Sequence, residues 1–411
     1  MNKTDSPSVG LQRRLGVVGL TLYGVGVTVG AGIYVLIGKV AGLAGSQAPL
    51  AFLVAALVAG MSAMSFAELS ARFPRSAGEA IYVREGFGSA GFALIMGFMV
   101  AIAGLVSASA VVVGSSGYVA SLISLPLWLI IILLIVLLTT LAIWGIVESV
   151  AIIGFVTLVE IAGLLVILAV ATPEALTVSV PTTDSVPTTD TAFTGGGFMG
   201  AVVIAFFAFI GFEDMVNVAE EVREPERTMP RAILATLLIT TMLYVALAWV
   251  SIAVTGVEDL AASEAPLGLV FERATGWSSA PFAVVAAFAT INGALVLIIM
   301  GSRVLYGLAS QHSLPRFLGH VWSVTGTPVP ATLAAAGFVL ICALLMPIGI
   351  LAQIGAILTL ATFATVNIAL IAIKRRTDLV PPRFTVPAWW PWLAALASAG
   401  VLAGEIARLT L

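Results

Sequence analysis

Few residues of this chain can do chemistry, and most of those sit inside long apolar runs. The densest place is Gly24-Val25-Gly26-Val27-Thr28-Val29-Gly30-Ala31-Gly32-Ile33-Tyr34, where four glycines fall within nine residues. Glycine costs roughly 1 kcal/mol per position in a helix interior, so a helix over this run is weakest at Gly30-Ala31-Gly32. A break in hydrocarbon strands N–H and C=O groups, and it survives only where protein buries it or where it lines a polar cavity. The chemistry such a break offers is binding by bare main-chain dipoles. Free amides at a half-helix start attract an anion, and free carbonyls at a half-helix end attract a cation. A small zwitterion fits both without a charged side chain.

The same oddity returns after Gly195-Gly196-Gly197, where the chain reads Phe206-Phe207-Ala208-Phe209-Ile210-Gly211-Phe212-Glu213-Asp214. Two adjacent acids behind a glycine argue against a plain lipid-facing helix. A third acid, Glu160, stands alone with apolar residues on either side. A carboxyl inside a membrane span is a functional candidate by default, because its burial is costly. Desolvation disfavours its charged form, which makes it a plausible proton carrier. It serves equally well as a permanently neutral acid bonded to a carbonyl, as an ion-pair member, or as a sodium ligand. Glu213 reads as a gate or proton-sensing acid, and Asp214 as an acid already at the water interface. Phe207, next to the second break, is the aromatic residue best placed to act as a lid.

Other chemistries find little material. Both histidines, His312 and His320, fall in one loop, so no His-based metal cluster forms within the bilayer and no intramembrane histidine can activate a serine. Gly114-Ser115-Ser116-Gly117 lacks the following lysine of a nucleotide cradle. No catalytic residue, metal site, cofactor or nucleic-acid partner is expected; the partners are a small molecule and the lipid bilayer. A channel would need a continuous polar lining, and the intramembrane acids are few and scattered.

These residues must be positioned by membrane helices. The chain of 411 residues is 60% hydrophobic and only 9% charged, with mean hydropathy +1.13, against roughly 25% charged in a soluble domain. Apolar runs long enough for a hydrocarbon core of roughly 30 Å recur near 15–41, 48–71, 88–120, 126–146, 149–171, 197–217, 230–255, 280–309, 329–346, 350–373 and 387–408. The predicted fold class is therefore an all-α polytopic membrane protein of about eleven spans, 1–411 forming one transmembrane domain. Basic residues cluster in alternate loops (Arg72, Arg75 and Arg84; Arg223, Arg227 and Arg231; Arg303 and Arg316; Lys374, Arg375, Arg376 and Arg383), which puts the N-terminus on the cytoplasmic side of the cell membrane. Interrupted helices five spans apart are the mark of an inverted-repeat transporter. The repeats are expected at 15–171 and 197–373, with 387–408 as an extra peripheral helix.

The stretch Thr28-Val29-Gly30-Ala31-Gly32-Ile33-Tyr34-Val35 resembles the first-helix signature of the amino acid–polyamine–organocation (APC) transporters. Phe66-Ala67-Glu68-Leu69-Ser70-Ala71-Arg72-Phe73-Pro74 is similar to their second-helix exit. Phe207 to Glu213, running into Glu220-Glu221-Val222-Arg223-Glu224-Pro225-Glu226-Arg227-Thr228-Met229-Pro230-Arg231, is similar to the most diagnostic stretch of the family. The resemblance implies a LeuT-type core of 5+5 helices, discontinuous helices 1 and 6, and alternating access. It implies that a substrate α-carboxylate meets amides around Ala31, Gly32 and Ile33, and that the α-amino group meets carbonyls around Thr28, Phe207, Ala208 and Ile210. Val29 and Gly30 complete the first break. Some proton-coupled relatives carry a lysine where this chain has Glu160. Apolar and small residues flank both breaks, so the expectation is a symporter of neutral L-amino acids coupled to protons. Cationic amino acids or polyamines, exchange, and sodium coupling stay open.

Overall fold

The computed structural model describes residues 15–75, 78–144, 150–177, 195–310, 314–322 and 326–410. Among them there is no strand beyond two isolated bridges, and helices carry the whole architecture. In chain order the helices are α1 (Val17–Ala44), α2 (Ala48–Arg72), α3 (Gly78–Phe87), α4 (Ala90–Ala120), α5 (Leu127–Trp144), α6 (Val150–Thr177) and α7 (Gly195–Phe207). They continue as α8 (Pro225–Thr255), α9 (Val257–Ala262), α10 (Pro266–Thr275), α11 (Ala280–Ser310), α12 (Val329–Leu345), α13 (Ile348–Lys374) and α14 (Trp390–Thr410). Among the described residues eight stretches are long and apolar enough to cross a membrane, beside three shorter apolar helices, Val17–Gly30, Gly197–Phe207 and Val329–Leu345. The chain is thus an all-α, multi-pass membrane protein.

Each apolar run of the sequence contains a helix; the sixth, 197–217, is helical only as far as Phe207, and two other ends are shifted. The helix after the charged loop opens at Pro225 rather than Pro230, because a proline needs no N–H partner in the first turn. Pro230 then lies inside α8. Helix α6 runs through Pro173 to Thr177, and the Thr172 hydroxyl donates to the Leu168 carbonyl at 2.5 Å in the turn beside that proline. Most of the Thr- and Asp-rich loop that follows, residues 178–194, lies outside the described residues, as do Lys3, Arg13, Arg14 and His312.

Helices α1, α2, α7 and α8 pack on one another, while α4, α11 and α13 form a second group against them. The short helices α9 and α10 cover one end of α1, where Gly38 lies against the Leu260 carbonyl with no room for a Cβ. At the opposite end α3 packs on α4 and α13. Close approach of this kind is what small residues allow between membrane helices.

A buried carboxylate ties three chain segments together near α3. Glu68, fully buried on α2, accepts from Arg72 at 3.0 Å, from Lys374 of α13 at 2.7 Å and from the Val386 amide at 2.8 Å. Glu68→Gln leaves both cations without their counter-charge. The expected loss is about 3 kcal/mol, the low end for a broken buried pair, since Lys374 keeps part of its surface in water. A lowered melting temperature of the purified protein would show it, and an unchanged one would reduce the cluster to a neutral contact. Helix α14 is fastened by Trp390, whose indole N–H donates to the Met61 carbonyl at 2.9 Å, and by Glu405, which accepts from Gln353 of α13 and from Arg408.

Candidate functional site

The first break is real and it is at Gly30. The helical backbone of α1 fails there, with φ −38° and ψ −145°, and resumes behind it. A helix that restarts in this way leaves its first amides, those around Ala31, Gly32 and Ile33, without intrahelical carbonyls. The second break follows α7. Residues Ala208, Phe209 and Ile210 form tight turns, donating to Ala205, Phe206 and Phe207 at 3.0–3.1 Å. Gly211 then takes φ +127°, a region that side chains rarely enter, and a 3-10 segment (Glu213–Glu221) replaces the expected second half-helix. The Glu213 carboxylate folds back to accept from the Gly211 amide at 2.8 Å, which satisfies one group freed by the turn.

The two breaks touch. A Cβ on Gly32 would collide with Ala208 Cα, and one on Gly211 would lie 2.8 Å from the Val27 carbonyl oxygen and 3.0 Å from Thr28 Cα. In this conformation open space lies alongside the breaks rather than between them. A cavity of about 40 Å³ begins at Ile210 and is lined by Glu213, Asp214, Glu79 of α3, and residues of α4, α11 and α13. That volume holds a few waters. Asp214 is 6% exposed, so its reading as an acid at the water interface is corrected: the 3-10 segment turns it inward to the cavity.

Main-chain oxygens at both breaks converge on one hydroxyl that the sequence reading missed. Tyr244 of α8, fully buried, sits with its Oη 2.8 Å from the Thr28 carbonyl oxygen and 3.0 Å from that of Ala208. One O–H proton serves two acceptors, so neither carbonyl is saturated. A tyrosine in mid-span was the available clue, since a buried phenol needs a partner. Tyr244→Phe strands both carbonyls, at roughly 1–3 kcal/mol. We expect about a tenfold fall in amino acid counterflow; wild-type counterflow would show that the hydroxyl bridges nothing of functional use.

The remaining candidates divide by role. The Thr28 hydroxyl is committed to the Gly24 carbonyl at 2.8 Å, leaving its own carbonyl as the group presented at the break. Val29 and Ile33 are buried in the core, so only their main chain is available. The Phe207 carbonyl accepts from Ile210, and its ring packs where Gly355 of α13 and Ser107 of α4 approach. Glu160 is 1% exposed, and neither of its carboxyl oxygens has a hydrogen-bond partner among the described residues. Helix α6 presents it near α1, where Thr157 fills the space beside Gly26 and the Tyr34 hydroxyl donates to the Glu160 carbonyl at 3.0 Å. Tyr34 itself accepts at its carbonyl from the Tyr118 hydroxyl. Glu160 and Glu213 therefore stand at separate stations, one beside Tyr34 and one in the cavity.

A multi-pass helical protein with two interrupted helices meeting main chain to main chain is built like a membrane transporter. Comparison with known proteins agrees: residues 15–404 match the amino acid permease family, and the chain belongs to it. It is a transporter of amino acids and not an enzyme. It is 29% identical over 403 residues to a branched-chain amino acid permease of Bacillus subtilis, covering 92% of this chain and 84% of that one. An uncharacterized transporter of Mycobacterium tuberculosis is 31% identical over 331 residues, 80% of this chain and 73% of its own. A vacuolar cationic amino acid transporter of Arabidopsis thaliana is 31% identical over 394 residues, 90% and 61% respectively.

Proposed function

We propose that this protein carries neutral L-amino acids across the cytoplasmic membrane by alternating access, in symport with protons, on a LeuT-type core whose inverted repeats are residues 15–171 and 197–373. The N-terminus lies on the cytoplasmic side, the side to which α3 and the arginine-rich loops belong. The observation that carries the reading is the meeting of the two breaks at Gly32, Ala208 and Gly211, with the Thr28 and Ala208 carbonyls sharing Tyr244. An α-ammonium would find half-satisfied carbonyls there, and an α-carboxylate the amides that follow Gly30. Closing the breaks on each other completes the path of one cycle. A neutral side chain is favoured by the apolar residues around the breaks and by the likeness to branched-chain permeases. Proton coupling is supported by Glu160: its carboxyl is buried without a hydrogen-bond partner among the described residues, and burying an unpaired charge is costly.

The test is counterflow of labelled leucine and other amino acids into vesicles at several pH values, with and without sodium. Saturable leucine uptake that rises with an inward proton gradient is expected. Uptake indifferent to that gradient and dependent on sodium would remove the coupling assignment, and no uptake of any amino acid would remove the substrate assignment. A second reading, transport of cationic amino acids, is favoured by one observation: among the described residues, the cavity beside Ile210 is lined by three carboxylates and no basic residue. Competition by lysine against leucine decides between them.

A further inference from the structure

We propose that Glu79, at the start of the loop helix α3, joins Glu213 and Asp214 in a proton-binding site within the cavity beside Ile210, where protons exchange with water at the α3 face. This deepens the transport reading by assigning where its protons leave, and the binding itself can be measured without transport. The three carboxylates come from two separate elements, and all line one cavity. Glu79 is 3% exposed, and its Oε1 has no hydrogen-bond partner among the described residues. Glu213 spends one oxygen on the Gly211 amide, whereas Glu79 has an oxygen still to place. Helix α3 is held close to the 3-10 segment at Gly78, where the Val216 side chain fills the space a Cβ would take, so the acids come from two elements packed against each other.

Among the described residues that line the cavity, none is basic. The lining residues of α4 (Val100, Ala101, Ala103, Gly104) and of α13 (Thr359, Thr362, Phe363) are uncharged, as are Leu297, Met300, Gly301 and Val304 of α11. Of the nearby bases, Arg72 and Lys374 are bound to Glu68, Arg75 and Arg84 are exposed, and Arg376 pairs with Glu85 and Asp378. Arg303 of α11 and Glu221 bear on Tyr23, which also feels Asp214; the Tyr82 hydroxyl of α3 has no hydrogen-bond partner among the described residues. Buried carboxylates lining one small cavity disfavour one another's charged forms, so at least one of them holds a proton, and a cavity with room for water provides the exchange route. Burial pushes the Glu79 carboxyl up to about 8, and the Asp214 charge adds to the rise. The folded state therefore keeps a proton on Glu79 that the unfolded chain loses above about 4.5. Its contribution to stability is full below that pH and is lost as pH rises through about 8.

The experiment compares Glu79→Gln with wild type in purified protein, following the melting temperature from roughly pH 5 to 9. Wild type is expected to lose stability as pH rises, and E79Q to lose less, by up to about tenfold per pH unit in the folded-to-unfolded ratio for the single proton removed. Superimposable pH profiles overturn the proposal. Infrared spectra of the wild type provide an independent readout if E79Q does not fold. A protonated-carboxyl band that disappears toward alkaline pH is expected, and one that does not change overturns the proposal. In vesicles, E79Q should flatten the alkaline limb of leucine counterflow and Glu79→Asp should restore it. Stabilisation by lysine but not leucine, lost in E79Q, would overturn the proposal in favour of a cationic side-chain site. Absence of leucine counterflow in a wild type whose Glu79 still titrates would sink the transport reading alone.

Discussion

Gly211→Ala should abolish amino acid transport, while Gly30→Ala should leave a measurable rate, when both are reconstituted at equal density. At Gly211 two penalties coincide. The backbone sits at φ +127°, where a side chain costs about 1–3 kcal/mol, and the new methyl would lie 2.8 Å from the Val27 carbonyl oxygen and 2.9 Å from its carbon. Those neighbours are main chain of α1, so they cannot turn aside as a side-chain tip would, and overpacking of this kind adds about 1–3 kcal/mol more. A sum near 4 kcal/mol removes the closed arrangement by roughly a thousandfold, enough to stop a cycle that must pass through it. At Gly30 nothing lies within 4 Å of the added carbon. Both variants would express, since the damage is confined to one contact between α1 and the turn after α7. Wild-type transport by Gly211→Ala would show that the two breaks need not meet.

Glu160→Gln is expected to separate exchange from accumulation. Glutamine keeps the shape of the side chain and stays neutral, so α6 retains its packing beside Thr157 and Tyr34 and substrate still exchanges. What is lost is the ability to release a proton. Concentrative uptake driven by a proton gradient should vanish, which for one coupled proton means about tenfold less accumulation per unit of pH gradient. Parallel assays of counterflow and of gradient-driven uptake in the same vesicles make the comparison. Accumulation that keeps its dependence on the gradient in E160Q removes Glu160 from the coupling step. A sodium requirement in wild type that disappears in E160Q would reassign the carboxylate as a sodium ligand.

Much of the frame was legible from residue types alone. Long apolar runs in a lipid environment leave helices as the only way to satisfy the backbone, and each of them holds a helix, the sixth only as far as Phe207. The glycines at 30, 32 and 211 marked both breaks because glycine weakens a helix; at 32 and 211 close main-chain approach also leaves no room for a Cβ, whereas Gly30 faces open space. Local signals also misled in small ways. Pro230 looked like a helix start because proline favours that position, but Pro225 lies nearer the turn at Glu224 and took it.

The arrangement around the breaks was readable only in outline. Thr28, Gly32 and Ala208 could be named as lying at the breaks because a helix break is a local event, written in a few adjacent residues. Tyr244 and Glu79 could not, because their roles arise from contacts between separate helices, 36 and 216 positions of chain apart for Tyr244, and nothing near them in sequence announces the partner. Spacing likewise suggested an exposed Asp214, and the turn at Gly211 instead rotated it into a buried cavity with Glu79 and Glu213. The amino-acid sequence by itself determined that this protein spans a membrane with two helices interrupted at glycine, since hydrophobic run length and backbone freedom are properties of short segments. Only the tertiary structure decided that the interruptions meet each other, that a hydroxyl from α8 bridges their carbonyls, and that three acids share one small cavity. Those facts depend on which faces of distant helices pack together, and that is settled by the fit of whole surfaces rather than by any segment alone.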